Sequence, residues 1–533
     1  MLEILQLNFG FSDAINYRRK DRKEFFNNIF LRDDTLDKLL ESNIFFLLGE
    51  KGTGKTAYAV YLSNNVLYKN NISSVRYVQE TDYQRFFALK REKHLGISDY
   101  NDIWKVILYL LISEQIKETE NKGFLSNFSK FRDINDAIDE YYSNAFSPEI
   151  ICALNFVEDS KLAAELIYKH TLKVGSEQSH QMAFNGQRFQ INLLYIQKKF
   201  EEALRSLKLS HNHILFIDGI DIRPSSMSYV EFLECVKGLS NAIWSINNDF
   251  FSSIKDSKGR LRIVLLIRPD IFNSIGLQNI NNKVRDNSIL LDWRTTYRSH
   301  RQSPIFMMAD RLLSCQQQTE LKLGEAWDYY FPYDPASVKK EKLPNLTTPT
   351  SFIQFLRFSL YRPRDIITML TILQENFKEQ NYTRHAFIEG DFNGHDFIRK
   401  LSIYLLGEVK EQILFYYSNA DYELFLKFFE YLDGSYTFTY EKYCDAYYKF
   451  IQFIIENKKT KPVFCETADE FLQFLYDLNI LCYTEKTFDE DNFMRWCFRE
   501  RNFSNISPKV KTHRRYVIHY GFRRALNLGK LLY

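Results

Sequence analysis

Short apolar runs alternate with segments of helical spacing through the first 300 residues of the chain. Short segments rich in apolar residues predict five strands, at residues 44–48, 75–78, 213–221, 262–270 and 288–293. Apolar residues at helical spacing follow the first run after a short glycine-containing loop. Strands that are apolar throughout are typical of a parallel sheet covered on both faces. The pattern therefore predicts an α/β fold built on a parallel sheet.

The rest of the chain shows mostly helical spacing. Residues 82–207 carry no strand signal, which predicts a large helical insertion within the sheet domain. Strand signals disappear again after residue 305. We therefore divide the chain into an α/β core at 1–300, a helical lid at 301–390 and a third domain at 391–533.

The third domain combines helices with three late strand signals. Thr467 and Glu470 form a capping-box pattern, which predicts the start of a helix there. Apolar runs at 480–483, 493–499 and 515–519 predict strands. Helices followed by a small antiparallel hairpin indicate a winged-helix-like domain.

One motif dominates the candidate chemistry. Residues 49–56 read GEKGTGKT, a full match to the phosphate-binding loop pattern G-x-x-x-x-G-K-[ST], and they lie between a predicted strand and a predicted helix. The glycines allow backbone N–H groups to approach phosphate oxygens closely. Lys55 is expected to reach the β- and γ-phosphates, and the Thr56 hydroxyl to hold Mg²⁺. The residues predicted to bind the nucleotide are Gly49, Lys51, Gly52, Thr53, Gly54, Lys55 and Thr56.

Acidic residues end the third predicted strand. Asp218 follows four apolar residues, and a carboxylate at a strand tip can hold Mg²⁺. Asp221 lies three positions further on. It could orient and deprotonate the attacking water, or it could cap the turn that follows.

Three arginines lie where they could contact phosphate. Arg268 ends the fourth predicted strand, at the edge of a parallel sheet where ligands bind, although a surface arginine before a turn proline would look the same. Arg362 and Arg364 flank Pro363 at the start of a predicted helix in the lid. Either could stabilise charge during phosphoryl transfer. Arg285 is a weaker candidate for insertion into a neighbouring subunit.

Composition narrows the class of protein. The 533 residues are 45% hydrophobic and 26% charged, as in ordinary globular proteins. Seven scattered cysteines include no C-x-x-C pair, and neither a secretory signal nor an apolar run long enough to span a bilayer is apparent. We therefore expect a cytoplasmic protein that does not enter membranes.

Positive charge is concentrated near the end of the chain. The net charge is only +3, but residues 491–533 hold ten Lys and Arg against two Asp and Glu. A basic patch can neutralise the phosphates of DNA or RNA. Winged helices also serve as protein-contact modules, so both kinds of partner remain open.

The phosphate loop, the strand ending at Asp218, the strand ending at Arg268 and the Arg362-Pro363-Arg364-Asp365 segment together resemble bacterial stand-alone ATPases of the AAA+/STAND kind. The third domain, which is the terminal domain at 391–533, resembles the winged helix of origin-recognition ATPases. The resemblance covers residues 1–80 and 208–376 by motif, and 390–533 by architecture alone. It implies ATP and Mg²⁺ as cofactors, and ATP-dependent homo-oligomers with an arginine offered between subunits.

The same resemblance implies roles for single residues. Lys55 and Thr56 would hold ATP·Mg²⁺, Asp218 would hold Mg²⁺, and Arg268 and Arg364 would be the first and second sensors of the γ-phosphate. AAA+ members usually place Glu directly after the metal-binding Asp, whereas this chain has Gly219. That departure predicts a slow, switch-like ATPase.

Two functions are consistent with these features. In the first, ATP hydrolysis switches the control of a nucleic-acid or protein partner; many bacterial relatives of this kind are associated with phage (antiviral) defence or DNA transactions. In the second, ATP holds a scaffold or interaction protein in its assembly, and hydrolysis is incidental. No metal-ligand cluster or nucleophile constellation outside the phosphate loop indicates another effector.

Overall fold

Two compact units make up the protein. The computed structural model describes residues 1–78, 97–120, 133–134, 136, 186–223, 227–275, 285–338, 348–486, 492–502, 505 and 507–529. The parallel-sheet unit comprises Arg32–Lys51 and Lys55–Leu291. The helical unit comprises Met1–Leu31, Gly52–Gly54 and Asp292–Tyr533. Across the described residues, no helix is both long enough and apolar enough to cross a membrane.

A five-stranded sheet forms the centre of the parallel-sheet unit. Its strands are β1 (Phe46–Leu48), β2 (Asn71–Tyr77), β3 (Asn212–Asp218), β4 (Leu261–Ile267) and β5 (Ser288–Leu290). They lie in the order β2-β3-β4-β1-β5, and every neighbouring pair is parallel. The five strand predictions and the α/β class are confirmed.

The central strands are apolar because helices leave them little contact with solvent. Every residue of β4 is buried, and so is β3 beyond its first residue. The helices of this unit are α2 (Asp34–Lys38), α3 (Lys55–Asn64), α4 (Ile97–Glu120), α5 (Gly186–Ser206), α6 (Tyr229–Ser245) and α7 (Pro269–Ser274). Helices α4 and α5 are the two described ends of the predicted insertion at 82–207. Most of the residues between them lie outside the described part of the chain.

Helices predominate in the other unit. They are α1 (Lys23–Ile29), α8 (Pro304–Ser314), α9 (Glu325–Tyr330), α10 (Ser351–Phe358), α11 (Pro363–Glu379), α12 (Glu389–Asn393), α13 (His395–Tyr416), α14 (Asn419–Phe428), α15 (Tyr440–Glu456), α16 (Ala468–Asp477) and α17 (Cys497–Glu500). Thr467 and Glu470 form the predicted capping box at the start of α16.

A second, antiparallel sheet lies within the helical unit. Its strands are β6 (Thr437–Thr439), β7 (Leu481–Lys486), β8 (Asn492–Arg495) and β9 (Arg515–Ile518), in the order β6-β9-β7-β8. The strand predicted at 493–499 is too long, because the chain turns at Trp496 into α17. Strand β6 was not predicted, since three residues between two helices give no clear alternation.

Many aromatic residues pack in the cores rather than forming an exposed platform. The buried indole of Trp327 contacts the rings of Phe306, Phe331, Phe352 and Phe355, with centroids 4.5–6.0 Å apart. Such pairs contribute about 0.5–1.5 kcal/mol each beyond their buried area. The six described cysteines form no disulfide.

His519 joins β9 to the loop that precedes α11. Its Nε2 lies 3.2 Å from the carbonyl oxygen of Ser359, and the Gly521 N–H donates to its Nδ1 at 3.2 Å. These two bonds fit a neutral ring that is protonated at Nε2. Burial, together with nearby Arg523 and Arg499, lowers the pKa of His519 to about 3, although the Ser359 bond and Asp365 oppose that shift.

We predict that this histidine makes the helical unit acid-sensitive. Between pH 6.5 and 3 the unfolded chain binds a proton at position 519 and the folded chain does not. The free energy of unfolding should therefore fall with decreasing pH below 6.5, by about 2 kcal/mol at pH 5. Urea unfolding of wild type and His519→Gln from pH 5 to 8 checks this. A variant that is less stable at pH 8 but as steeply pH-dependent as wild type would contradict it.

Candidate functional site

The phosphate-loop motif connects β1 to α3. The Gly49 N–H donates to the carbonyl oxygen of Ile267, the last residue of β4, at 3.3 Å. Gly52 has φ +85° and Gly54 has φ +96°, in the left-handed region that favours glycine. The conformation of this loop therefore depends on glycine at both positions.

Lys55 and Thr56 open α3, and both side chains are engaged at the sheet edge. The Lys55 ammonium is buried and donates to the carbonyl oxygens of Gly49 at 2.8 Å and Glu50 at 3.3 Å. The Thr56 hydroxyl donates to Asp218 Oδ2 at 2.6 Å. The phosphate-loop motif and the acidic end of β3 are therefore brought together, although 162 positions separate Thr56 from Asp218.

Asp218 is a buried carboxylate with few charges to balance it. Burial raises its pKa, and the nearby charge of Asp221 acts in the same direction. The Thr56 hydroxyl, Lys55 and the Gly219 N–H, which donates to Asp218 Oδ1 at 2.8 Å, oppose that shift. The ionised form is thus supported by two direct hydrogen bonds and one nearby cation, and a further positive charge would stabilise it.

The donor set at this point suits a magnesium ion. Mg²⁺ prefers oxygen ligands and is commonly held by one or two protein groups together with substrate phosphates. The Thr56 hydroxyl and the Asp218 carboxylate offer oxygen atoms of this kind, and burial raises the pKa of Asp218. Among the described residues, no cluster of three or more His, Cys, Asp or Glu forms a metal site supplied by the protein alone.

Gly219 has a structural role that its place in the sequence does not reveal. It has φ +87°, and a Cβ at this position would lie 2.5 Å from the carbonyl oxygen and 3.0 Å from the nitrogen of Val78. Val78 is held there because its N–H donates to the Asp218 carbonyl oxygen at 2.8 Å. A side chain directly after Asp218 would therefore collide with the backbone just beyond β2. The positive φ that selects glycine cannot be read from the residue types alone.

Asp221 faces the phosphate-loop lysine. Its Oδ2 lies 3.5 Å from Lys55 Nζ, and its side chain is 25% exposed. Its Oδ1 is buried and accepts no hydrogen bond within the described residues. The sequence left two interpretations open for Asp221, and its position beside Lys55 places it in the same cluster as Thr56 and Asp218.

Arg268 lies at the end of β4 but is already engaged. Its guanidinium donates to both carboxylate oxygens of Asp270, with one bond of 3.0 Å from Nε. The side chain is 5% exposed, so the pair is largely buried. Its predicted contact with a γ-phosphate stays a prediction. That contact would require the Arg268 guanidinium to break one or both of its hydrogen bonds to Asp270, or to bind the phosphate in addition to them.

Arg362 and Arg364, the two arginines of the predicted lid, lie in the helical unit and have different surroundings. Arg362 forms a buried ion pair with Asp365, with distances of 2.7–3.1 Å. Burial disfavours its charge, but Asp365, Tyr404 and Glu408 outweigh that effect and raise the pKa of Arg362. Arg364 lies beside the phosphate-loop glycine instead, and its backbone N–H donates to the Gly52 carbonyl oxygen at 3.3 Å.

The loop residues Gly52–Gly54 make a second contact within the helical unit, in addition to the one with Arg364. The Thr53 carbonyl oxygen accepts a bond of 2.8 Å from the indole N–H of Trp293, and this contact is buried. The Arg364 side chain donates to Ser12 O at 3.2 Å and lies 3.6 Å from Glu408. Lys51, also predicted to bind nucleotide, is half-buried in the parallel-sheet unit.

Much of the basic charge at 491–533 is engaged within the helical unit. Arg495 pairs with Glu485 and Glu500 at 3.1 Å each. Arg523 lies over the rings of Tyr436 and Tyr520 at 3.9 and 4.3 Å. Among the residues of this segment that the structure describes, the exposed basic ones are Lys509, Lys511, Arg514 and Arg515.

The chain matches no protein-family model and no curated protein.

We predict that Gly219→Ala destabilises the parallel-sheet unit by about 1–3 kcal/mol, since the positive φ and the contact with Val78 both oppose a Cβ. Chemical denaturation measures the change. Gly407→Ala is the matched control, because that helical glycine has open space around its Cβ position and should gain up to about 1 kcal/mol. A Gly219→Ala protein as stable as wild type would show that the Val78 backbone yields.

Proposed function

We propose that this protein is an ATP-binding and ATP-hydrolysing molecular switch, a P-loop ATPase of the AAA+/STAND kind. The observation that carries the proposal is the convergence of Lys55, Thr56 and Asp218 at the end of β1 and β3. Those three groups are the amine, hydroxyl and carboxylate that a bound nucleoside triphosphate and its metal require.

Each residue has a distinct part in this proposal. Lys55 would bind the β- and γ-phosphates, and backbone N–H groups of the glycine-containing loop would surround them. Thr56 and Asp218 would hold Mg²⁺, which neutralises charge on the phosphate oxygens when bound. Arg268 and Arg364 would act as sensors of the γ-phosphate, after Arg268 exchanges its bond to Asp270.

The order of the strands supports a ligand at this edge. In open parallel sheets, ligands bind beyond the carboxyl ends of the strands where the strand order reverses. The chain passes from β1 to the far edge at β2 and returns through β3 and β4, and β5 then lies on the other side of β1. Asp218 is the last residue of β3, and the phosphate loop and Arg268 directly follow β1 and β4.

A continuous set of contacts in the helical unit supports the switch. Arg364 contacts the loop residue Gly52, and the segment just before it is held by the terminal domain. His519 bonds to Ser359, and Arg499 donates to the hydroxyl of Tyr361, whose φ of +56° is unusual for a non-glycine residue. Strained residues that are fixed by their neighbours often occur in switch regions. A change in the position of Gly52 would therefore be transmitted through these contacts to the terminal domain.

The charge distribution favours a protein partner over a nucleic acid. In a winged helix, the helix before the hairpin is the one that enters a DNA groove. Helix α16 occupies that place in the chain, and it contains Asp469, Glu470 and Asp477 but no Lys or Arg. Its carboxylates would repel phosphates. We propose that the terminal domain binds protein, and that Arg285, with its side chain 82% exposed, is available to a neighbouring subunit of a homo-oligomer.

A scaffold function is the second candidate. Gly219 favours it, because the collision with Val78 excludes the glutamate that speeds hydrolysis in related sites. In that case ATP would hold an assembly together, with no sustained release of phosphate. Comparing single-turnover with steady-state phosphate release separates the switch from the scaffold.

We predict that Lys55→Ala lowers ATP affinity by at least 100-fold, about 3 kcal/mol, because the variant lacks the buried cation that would contact two phosphates in the proposed complex. Equilibrium binding of a fluorescent ATP analogue with Mg²⁺ measures it. Lys208→Ala, an exposed lysine of the same unit, is the control and should bind normally. Tight binding by Lys55→Ala would place the nucleotide elsewhere.

We predict that duplex DNA binds only weakly at physiological salt, with a dissociation constant above about 10⁻⁶ M. Filter binding over a salt series measures it. Replacing the exposed pair Arg514 and Arg515 by Ala should change it no more than replacing Lys458 and Lys459. A steep salt dependence that is lost only in the Arg514→Ala/Arg515→Ala protein would favour nucleic acid as the partner.

A further inference from the structure

The position where a general base is usually supplied cannot carry a side chain in this protein. Gly219 follows Asp218, and its Cβ position is blocked by the Val78 backbone at 2.5 Å. If the site hydrolyses ATP with the help of a carboxylate, that carboxylate has to come from another position. Asp221 is the next acidic residue along the chain, and its carboxylate lies 3.5 Å from the Lys55 ammonium.

Asp221 is positioned by the phosphate-loop lysine. Its Oδ2 lies 3.5 Å from Lys55 Nζ, whose side chain is only 6% exposed. The Lys55 ammonium also donates to the carbonyl oxygens of Gly49 and Glu50, which are neutral acceptors. Asp221 is the negatively charged member of its ion pair. The other carboxylate oxygen of Asp221, Oδ1, is buried and accepts no hydrogen bond from the described residues. A buried acceptor without a donor is costly, and it has capacity for a donor such as water.

We propose that the Lys55–Asp221 ion pair is a latch that couples ATP binding to the supply of the catalytic base; this inference rests on the proposed function. The triphosphate and the Asp221 carboxylate compete for the single ammonium group of Lys55. When Lys55 takes a phosphate oxygen as its partner, the Asp221 carboxylate is released from it. The released carboxylate then accepts a hydrogen bond from the attacking water.

The chemical step balances without a further reactant. The water oxygen forms a bond to the γ-phosphorus while the bond from that phosphorus to the β,γ-bridging oxygen breaks. One water proton passes to Asp221, and the electron pair of the broken bond leaves with ADP. Asp221 later returns the proton to solvent or to phosphate, and its ionised form can pair with Lys55 again after the products leave.

The latch predicts an effect on ATP affinity that a general base alone would not produce. Because Asp221 competes with the triphosphate for Lys55, removing its charge should tighten ATP binding while slowing hydrolysis. For Asp221→Asn we expect the dissociation constant of ATP to fall about three- to tenfold, in the range of a partly buried ion pair. We expect the single-turnover rate to fall about 100-fold or more, as for loss of a general base.

Titration calorimetry with ATP and Mg²⁺ and single-turnover phosphate release test the two effects on the full chain. Asp256→Asn, an exposed carboxylate of the same unit, is the matched control and should match wild type in both. Asp221→Ser serves as a second variant if Asp221→Asn fails to fold. Tighter binding with slower turnover supports the latch.

The other outcomes distinguish the latch from the proposed function. Unchanged or weaker ATP binding by Asp221→Asn and Asp221→Ser, with normal binding by wild type, overturns the latch and leaves the ATP switch in place. Tighter binding with full turnover overturns the role of Asp221 as the base. No binding of ATP by wild type overturns the proposed function, and the latch with it.

Discussion

The hydrogen bond between the Thr56 hydroxyl and the Asp218 carboxylate is the contact on which the candidate site depends. It joins the first turn of α3 to the end of β3 across 2.6 Å. The carboxylate is buried, and its raised pKa means that the folded protein holds this charge at an energetic disadvantage. Active sites commonly carry such local disadvantages, which the remainder of the fold offsets. Here the disadvantage is one that a metal ion would relieve.

Sequence reasoning recovers the parts of this site that follow from periodicity and motif. Short segments rich in apolar residues predict the five parallel strands, and the spacing of the glycines, Lys55 and Thr56 predicts the loop between β1 and α3. Asp218 is found because it ends an apolar run. These features are local in sequence, which is why they can be read without coordinates.

The parts that sequence reasoning misses depend on contacts between distant residues. Gly219 is explained by Val78, which lies just beyond the end of β2, and by a positive φ that no residue pattern reveals. Arg268 and Arg362 are paired with Asp270 and Asp365. Those acids lie only two and three positions away, so the sequence did contain a signal that these arginines have structural partners. The three-residue strand β6 had no comparable signal.

Crystals grown with a non-hydrolysable ATP analogue and Mn²⁺ would test the central claim most directly, because Mn²⁺ gives an anomalous signal at the Mg²⁺ position. We expect a single metal peak about 2.1 Å from Thr56 Oγ1, on the side facing Asp218, with Lys55 Nζ contacting the β- and γ-phosphates. A nucleotide bound elsewhere, or a metal peak with neither Thr56 nor Asp218 nearby, would contradict it.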